Sequence, residues 1–581
     1  MTYVRCAEYG IQVLFQCLLY STEWSVSCIS WVWKQLKSCS WWSFLVCLVF
    51  AIVSTLVCSV FALVATIICT LITAIELVVC MLWTPISIIF CLSKANGGSA
   101  FLLTDGTVMM QECKSVSLYW LLAWGTTRWW KLTPDKSGSY AKGSWSQLAD
   151  CTTERRDYAS AVLADGRLVV CGGEWSDASG AIKNDDTNSC EIYDPVANSW
   201  KSFDPPTPLG STTPWKEIGD APCAVLPDGT FLLGSINDGN VAKLNPATLE
   251  WTPLSNRGIS SDEDSWVLMP DNTIAAPSCQ NPPWTYVYDI PTDHWQNTGK
   301  LTVGIVDPEV NEIGPGLLRY DGTAFFIGAN GHTAVYSANA TPQWSTGPDL
   351  PAQTVGGKPT AIGIYDGPGT VLVNGNVLFG AGARVTDPAG SPWSSPSWFF
   401  EFDGTTFNRT TDPPNNAGYT YLTRMLLLPN GDVLFCREDD NSFYAYHSES
   451  AQPEESFRPV IQNCPTSLAP GSTIQVSGLQ FNGLSQANGY GDDFANATNY
   501  PLVYIVNNQT NHLRYCRTHD HTTVDSNGNV VTSMGVATGS AVITTQVDIP
   551  GDIDPGDAQL FVVANGIPSQ PFAVSIWPEI V

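Results

Sequence analysis

The sequence predicts an all-β fold, a seven-bladed β-propeller followed by an immunoglobulin-like β-sandwich, with an N-terminal helical transmembrane segment. Three observations indicate this organisation: an uncharged apolar run near the N-terminus, a hairpin motif that recurs along the middle of the chain, and alternating short strands towards the C-terminus. We therefore predict a membrane anchor at residues 1–95, the propeller at 97–453 and the sandwich at 460–581.

The composition excludes several classes of protein. Of the 581 residues, 44% are hydrophobic and only 14% are charged, and the chain contains 48 Gly, 39 Pro and 22 Trp. Many turn formers and aromatic residues with few charges argue against disorder and against a helical bundle. Acidic residues outnumber basic ones by 54 to 27, which gives a net charge of −27. We expect no nucleic-acid partner, because phosphate binding requires a basic face.

The N-terminal segment has the composition of a membrane helix. Residues 44–75 carry no charged side chain, and about 20 apolar residues suffice to cross a bilayer. The run allows one tilted span or, together with residues 77–90, two. Lys34 and Lys37 precede it, so the positive-inside rule places the N-terminus in the cytoplasm. A single span then places the large domain outside the cytoplasm.

Cysteines recur along this segment at intervals of eleven residues, with one shorter step. An eleven-residue repeat corresponds to about 3.67 residues per helical turn, so the thiols form a stripe on one helix face. We interpret the stripe as a packing seam through which the anchor associates with itself. Palmitoylation and interchain disulfides are the alternatives. The repeat consists of Cys6, Cys17, Cys28, Cys39, Cys47, Cys58, Cys69, Cys80 and Cys91.

The propeller is predicted from a recurring pair of strands joined by a tight turn. AFLLTDGTVMM, SAVLADGRLVV and CAVLPDGTFLL carry the signal of a type I′ β-hairpin. Several repeats add a third strand that ends in an aromatic residue, as in EIYDPVANSW. Seven such units, each a four-stranded blade, close into a ring. The turns lie at Asp105-Gly106, Asp165-Gly166, Asp228-Gly229, Asp271-Asn272, Asp321-Gly322, Asn374-Gly375 and Asn430-Gly431.

The C-terminal part follows the linker AQPEESFRP and alternates short strands with turns, which is typical of an immunoglobulin-like sandwich. Four Asn-x-Ser/Thr sequons are compatible with a glycoprotein whose large domain is exported. They lie at Asn339, Asn408, Asn496 and Asn508.

The chain resembles the kelch-repeat group of galactose oxidase and glyoxal oxidase over residues 97–580. The segments GSAFLLTDGTVMMQ, AWGTTRWWKLTP, FNGLSQANGYGDD, ATNYPLV and YCRTHDH are similar to a bacterial-type branch of that group. The resemblance implies a kelch-type propeller and a galactose-oxidase-like early-set domain at the C-terminus. For the oxidases of the group it also implies a copper ion held by two Tyr and two His, one Tyr being cross-linked to a Cys.

The resemblance places two tyrosines at the copper positions. Tyr158 occupies the place of the cross-linked tyrosine, but Gly98 and Ser99 stand where its cysteine partner would lie. Tyr421 matches the axial tyrosine, and Leu422 replaces the histidine that follows it.

The remaining histidine of the group corresponds to Gly539 by one alignment and to His519 by another. Leucine cannot coordinate copper, and a tyrosyl radical without its thioether lacks the tuning that lets it cycle. We therefore do not expect a copper–radical cofactor.

Carboxylates from successive blades are predicted to line one level of the central channel. The first strand of each blade lines that channel, and residues seven to nine positions before the turns share one depth. Carboxylates brought together raise one another's pKa unless a cation compensates, which favours a bound metal, a cationic ligand or a hydrogen-bonded sugar. The alternative is that these acids cap strands or pair with arginines between blades. The level comprises Asp220, Glu263, Asp264, Glu312 and Asp366, with Tyr158, Tyr421, Arg156 and Arg424 nearby.

A second candidate site is the segment YCRTHDH. His519 and His521 are two residues apart, so on an extended segment their imidazoles point to the same side and suit a divalent metal. Mn, Fe, Zn and Cu remain open. The alternative is a structural turn. Outside the anchor, Cys171 with Cys190, or Cys464 with Cys516, are possible disulfides.

Three functions remain open from the sequence. We prefer a membrane-anchored module that binds a carbohydrate, another small ligand or a cation without copper–radical oxidase activity. The alternative is a metal-dependent oxidoreductase or hydrolase that uses His519, His521 and the acids at the channel mouth. A third is an alcohol or aldehyde oxidase with substitute ligands.

Overall fold

The computed structural model describes residues 96–116, 122–174, 186–338, 342–386, 392–414, 416–448, 452–487 and 498–577. Within these ranges, seven antiparallel sheets of three to five strands and one two-stranded hairpin lie between Asn96 and Tyr446, and a unit of ten strands follows from Val460. Each of the seven larger sheets forms one blade of a propeller.

The first four blades each contain four strands in sequential order. Blade 1 comprises β1 (Asn96–Leu102), β2 (Val108–Val116), β3 (Leu122–Thr133) and β4 (Ser144–Gln147). Blade 2 comprises β5 (Ala159–Val162), β6 (Leu168–Cys171), β7 (Cys190–Asp194) and β8 (Ser199–Phe203). Blade 3 comprises β9 (Cys223–Val225), β10 (Phe231–Gly234), β11 (Val241–Asn245) and β12 (Glu250–Pro253). Blade 4 comprises β13 (Val267–Leu268), β14 (Thr273–Pro277), β15 (Trp284–Asp289) and β16 (His294–Lys300).

The last three blades vary more. Blade 5 comprises β17 (Gly316–Leu318), β18 (Thr323–Ile327), β19 (Thr333–Ser337) and β20 (Gln343–Thr346), and a small hairpin of β21 (Gln353–Val355) and β22 (Lys358–Thr360) follows. In blade 6 the first strand is split into β23 (Ile362–Gly363) and β24 (Gly369–Val371), which both pair with β25 (Val377–Thr386), followed by β26 (Pro392–Phe402) and β27 (Phe407–Arg409). In blade 7 the described residues form three strands, β28 (Thr423–Leu427), β29 (Val433–Arg437) and β30 (Tyr444–Tyr446).

The first strands of the blades form the inner wall of the ring. Neighbouring first strands contact each other, as β5 contacts β9 and β13 contacts β17, and β28 of blade 7 contacts β1 of blade 1. The ring is therefore closed between its last and first blades. The prediction of seven blades is confirmed, although the split strand of blade 6 and the three described strands of blade 7 depart from the predicted four.

The turns between the first and second strands differ from the predicted type. In blade 1, Leu103 and Thr107 pair through a backbone hydrogen bond of 2.8 Å, and the N–H of Gly106 donates to the Leu103 carbonyl oxygen at 2.9 Å. Gly106 has a positive φ of 73°, whereas a type I′ turn needs positive φ at both central residues. The turn is thus a type I turn with a bulge glycine. Asp105 stabilises it by accepting the Thr107 N–H at 3.0 Å.

The recurring aromatic residues lie near the start of the fourth strands, not at the end of the third as predicted, and they join neighbouring blades. Trp200 on β8 packs against Trp129 of blade 1, with ring centroids 5.1 Å apart, and its Nε1 donates to the Ala149 carbonyl oxygen at 3.0 Å. Trp344 on β20 donates in the same way to Thr298 of blade 4 at 3.0 Å. The recurring aromatic seen in the sequence therefore serves contacts between blades.

The ten C-terminal strands enclose one hydrophobic core. They are β31 (Val460–Asn463), β32 (Ser467–Leu468), β33 (Thr473–Leu479), β34 (Leu502–Asn507), β35 (Leu513–Val524), β36 (Val530–Thr532), β37 (Ile543–Asp548), β38 (Gly556–Ala564), β39 (Ile567–Pro568) and β40 (Phe572–Ile576). The N-terminal part of β35 pairs with β34, and its C-terminal part pairs with β37. This strand therefore links two layers, with Val476, Val503 and Cys516 buried between them.

The predicted fold class is wrong in its helical transmembrane part. The described ranges contain no α-helix, and short 3-10 turns occur there at Thr420–Leu422 and Glu455–Phe457. No helix within them is long and apolar enough to cross a membrane. The fold of the described chain is all-β, because glycine-rich turns and short alternating strands dominate it. The anchor predicted at residues 1–95 and its cysteine repeat lie outside the described residues.

Gly363 is expected to be one of the least replaceable residues of the ring. A Cβ atom at this position would overlap the backbone carbonyl oxygen of Ala329 in the preceding blade. We expect Gly363→Ala to lower the free energy of unfolding by about 2–3 kcal/mol, because backbone must move to relieve the overlap. Chemical denaturation measures this, with the exposed Gly551→Ala as control, since a Cβ at Gly551 meets no atom within 4 Å. Equal stability of the two variants would contradict the prediction.

Candidate functional site

The C-terminal unit covers the end of the propeller that carries the turns between first and second strands. The backbone N–H of Thr518 donates to the Thr104 carbonyl oxygen at 3.1 Å, and that of Asp520 donates to Ala164 at 2.8 Å. Both acceptors lie in turns, of blades 1 and 2. The acids predicted at one level of the channel, such as Asp220, Glu263 and Glu312, lie before the first strands of their blades. They are therefore at the end of the inner wall opposite the turns. YCRTHDH and these acids therefore lie at opposite ends of the propeller.

Three carboxylates come together at this other end. Asp220 precedes β9, and Asp262 and Glu263 precede β13, so the group spans blades 3 and 4. Each offers an oxygen atom, and these atoms lie within 4.8 Å of one another. The Gln280 side-chain amide donates to Asp262 at 2.8 Å and orients it. Glu263 has a positive φ of 59°. We call Asp220, Asp262 and Glu263 the acidic triad.

The acidic triad is electrostatically unfavourable when all of its members are ionised. Burial raises the pKa of Asp220 to about 7, and the charge of Asp262 adds to the shift. Burial and the nearby Asp264 likewise raise the pKa of Asp262 to about 7. The pKa of Glu263 also rises, through burial and then through Glu312 and Asp220. Without a cation these carboxyl groups therefore retain protons near neutral pH, and a bound cation would favour their ionised forms.

The remaining acids of the predicted level occupy three different settings. Asp264 is fully buried and forms an ion pair with Arg257, and it accepts the Cys279 backbone N–H at 2.8 Å. Glu312 is buried and adds negative charge beside Glu263. Asp366, at a positive φ of 45°, donates its backbone N–H to the Ile313 carbonyl oxygen at 3.0 Å. Of the predicted acids, Asp220 and Glu263 come together and Glu312 interacts with Glu263, whereas Asp264 pairs with Arg257.

The two predicted arginines form a buried ion-pair network with acids that the sequence reasoning missed. Nε of Arg156 donates to Glu438 at 2.7 Å, and its Nη1 lies 2.9 Å from Asp157. Arg424 pairs with the same Glu438 and lies 3.6 Å from Asp157. The network joins blade 2 to blade 7. The adjacency of Asp157 to Arg156 was visible in the sequence, but Glu438 lies 282 residues from Arg156.

The two tyrosines predicted at the copper positions are both buried. The Arg156 guanidinium lies 5.4 Å from the centre of the Tyr421 ring, and burial raises the pKa of Tyr421 well above its ordinary value. Leu422 is buried beside it in the same 3-10 turn. A Cβ atom at Gly98 would lie 2.6 Å from Sγ of Cys113, so a thiol from the neighbouring strand fills the space beside that glycine.

The two predicted metal-binding histidines have separate partners. Nδ1 of His519 lies 2.7 Å from Asp520, and its Nε2 lies 3.3 Å from Asp548. His521 is fully buried, with Nδ1 3.0 Å from the Thr545 hydroxyl and its ring stacked on Tyr500. The register of β35 shifts between His519 and Thr522, so the rule that alternate residues share a face does not hold here.

Comparisons with known proteins found one family-model match and a set of similar solved structures. The kelch motif model matches residues 155–207, which contain blade 2. A search of curated proteins found no match. Solved structures that are similar include a fungal alcohol oxidase of the AA5 family in complex with copper, at 14% identity and a TM-score of 0.44, which covers 83% of this chain and 97% of its own. Another is U3-55K, at 11% identity and a TM-score of 0.36, over 62% of this chain and 93% of its own.

The kelch prediction is confirmed. The kelch motif match lies in blade 2, and together with the seven blades it shows a kelch-type propeller.

Proposed function

We propose that the propeller is a binding module that holds a hard divalent cation, such as Ca²⁺ or Mn²⁺, at the acidic triad. The observation that carries the proposal is the convergence of Asp220, Asp262 and Glu263, whose oxygen atoms lie within 4.8 Å of one another. An all-oxygen set of ligands suits Mg²⁺, Ca²⁺ and Mn²⁺ rather than copper. A cation would also offset the burial and the mutual repulsion that raise the pKa values of these carboxyl groups.

The proposed module works without copper–radical turnover. Leu422 supplies no ligand atom beside Tyr421, and His519 is hydrogen-bonded to Asp548 at the end of the propeller that the C-terminal unit covers. These two positions support the proposal, because the group's oxidases need histidine nitrogens on the metal. The sequence also left a carbohydrate or another small ligand open as an alternative to a cation.

Cation binding is expected to require both aspartates of the triad and to weaken in acid. We expect Asp220→Asn and Asp262→Asn each to reduce the affinity for Ca²⁺ or Mn²⁺ at least tenfold. The affinity of the wild type should fall as the pH drops through about 7, because bound carboxylates must lose their protons. Isothermal titration calorimetry of the full chain at pH 6, 7 and 8 measures both effects.

The matched control is Asp321→Asn, which removes one negative charge at the turn of blade 5, where Asp321 accepts the Thr323 N–H at 3.0 Å. The triad variants should fold, because ionised carboxyl groups with raised pKa values destabilise the folded state at pH 8. Affinities that match those of Asp321→Asn would overturn the proposal, as would the absence of any heat of binding in the wild type.

A further inference from the structure

Two cysteines of blade 2 lie directly opposite each other. Cys171 ends β6 and Cys190 begins β7, and the two are cross-strand partners in the antiparallel pair. Side chains of directly opposed residues project from the same face of a sheet. Both thiols are buried in one cluster with Ala159, Val169 and Ile192.

Opposed residues in an antiparallel sheet alternate between hydrogen-bonded pairs and non-hydrogen-bonded pairs, whose Cα atoms are closer together. The hydrogen-bond pattern makes Cys171 and Cys190 a non-hydrogen-bonded pair. The N–H of Gly172 donates to the Ser189 carbonyl oxygen at 2.9 Å, so Gly172 and Ser189 form the hydrogen-bonded pair and the cysteines form the adjacent non-hydrogen-bonded pair. Such pairs have Cα atoms about 4.5 Å apart, and disulfides span Cα distances of about 4.4–6.8 Å. Burial, followed by a hydrogen bond with Cys190, raises the pKa of the Cys171 thiol.

We propose that Cys171 and Cys190 form a cross-strand disulfide when the chain folds in the presence of a disulfide oxidant. The two thiols lose two protons and two electrons as the sulfur–sulfur bond forms. A small-molecule disulfide such as oxidised glutathione accepts them and leaves as two thiols. In the folded state both side chains are almost fully buried, so the exchange takes place during folding or on opening of the blade.

A third thiol lies in the same cluster but faces a different partner. Sγ of Cys223 donates to the Ser160 carbonyl oxygen at 3.4 Å, and Cys223 belongs to β9 of the next blade. A bond to this thiol would join two blades, whereas the pair proposed here lies within one. The geometry of opposed residues therefore favours Cys190 as the partner of Cys171.

The bond would close the base of the segment between β6 and β7. Asp186 lies in this segment close to Cys190, and its negative charge contributes to the raised pKa values of Asp220 and Asp262. Closing the segment removes conformational freedom from the unfolded chain. We expect the oxidised protein to unfold a few degrees Celsius higher than the reduced protein.

Tryptic peptide mapping tests the bond on the full wild-type chain. The chain is refolded with oxidised and reduced glutathione, free thiols are blocked with iodoacetamide, and the digest is analysed by mass spectrometry with and without reduction. Cleavage after Arg167, Lys183 and Lys201 places the two cysteines on peptides 168–183 and 184–201. We expect these peptides to be linked and to separate on reduction. Cys279, whose Sγ donates to the Glu263 carbonyl oxygen at 2.8 Å, serves as an internal control, and we expect it to be alkylated.

Two results would overturn the inference. One is alkylation of both Cys171 and Cys190 after oxidative refolding. The other is a link from peptide 168–183 to peptide 217–243, which carries Cys223. The variant Cys171→Ser/Cys190→Ser supplies a further test, since its unfolding temperature should no longer depend on reductant. The peptide map of the wild type decides the question even where this variant fails to fold.

Discussion

Replacing Glu438 by glutamine is expected to lower the free energy of unfolding by about 3–5 kcal/mol. Glu438 is fully buried and pairs with the guanidinium groups of both Arg156 and Arg424. Its neutral isostere would leave two buried cations with Asp157 as the remaining carboxylate of the network. Removing one partner of a buried ion pair is costly because the other charge is left uncompensated in a medium of low dielectric constant.

Urea denaturation of the purified protein measures this loss. Glu401→Gln is the matched control, because Glu401 is also buried but accepts hydrogen bonds from the neutral side chains of Asn376 at 2.9 Å and Tyr446 at 2.6 Å. We expect the control to lose about 1 kcal/mol, the usual net contribution of a hydrogen bond. If Glu438→Gln lost no more than Glu401→Gln, the network would not hold the ring together.

The second large effect concerns His521, which should make the fold sensitive to acid. Burial lowers the pKa of His521 to about 3, from an ordinary value of 6.5, and the charges of His519 and Arg517 add to the shift. Between these two pH values the unfolded chain binds a proton that the folded chain does not, so stability falls as the pH falls through this window. Each pH unit within this window lowers the free energy of unfolding by up to about 1.4 kcal/mol. Over the whole window the loss amounts to several kcal/mol.

The contribution of His521 is isolated by comparing the wild type with His521→Gln in urea at pH values from 4 to 7. The two curves of stability against pH must be subtracted, because Asp220 and Asp262 change the stability in the opposite direction. Their raised pKa values make the fold more stable as the pH falls from about 7. We expect the advantage of the variant to grow towards acid. The control is His447→Gln, since the His447 side chain is 74% exposed. Parallel curves for the wild type and His521→Gln would disprove the assignment.

The repeat in the sequence was sufficient to predict the propeller, because each hairpin is specified by residues close together in the chain. The type of turn could not be predicted from the sequence. Asp-Gly fits both a type I′ turn and a type I turn with a bulge glycine, and the choice depends on the residue at which each strand ends. Counting back from the turns located Asp220 and Glu263. Asp262 lies nine residues before the turn of blade 4, within the same window, but the predicted level did not include it.

The histidine site was harder to predict. A two-residue spacing implies a shared face only on a regular strand, and β35 shifts register after His519, with Asp520 at a positive φ of 52°. Glu438, the partner of Arg156 and Arg424, could not be predicted for a different reason. Glu438 belongs to the last blade, and no local pattern relates it to Arg156 of the second.

Closure between blades 7 and 1 has a consequence for how the chain matures. During synthesis, Arg156 emerges early and Glu438 emerges 282 residues later. Until then, the nascent propeller lacks its complete last blade, and the Arg156 guanidinium lacks the Glu438 carboxylate. The last blade therefore supplies both the strands that meet blade 1 and the buried carboxylate that pairs with Arg156. Fragments that end before Glu438 lack this ion pair, however many blades they contain.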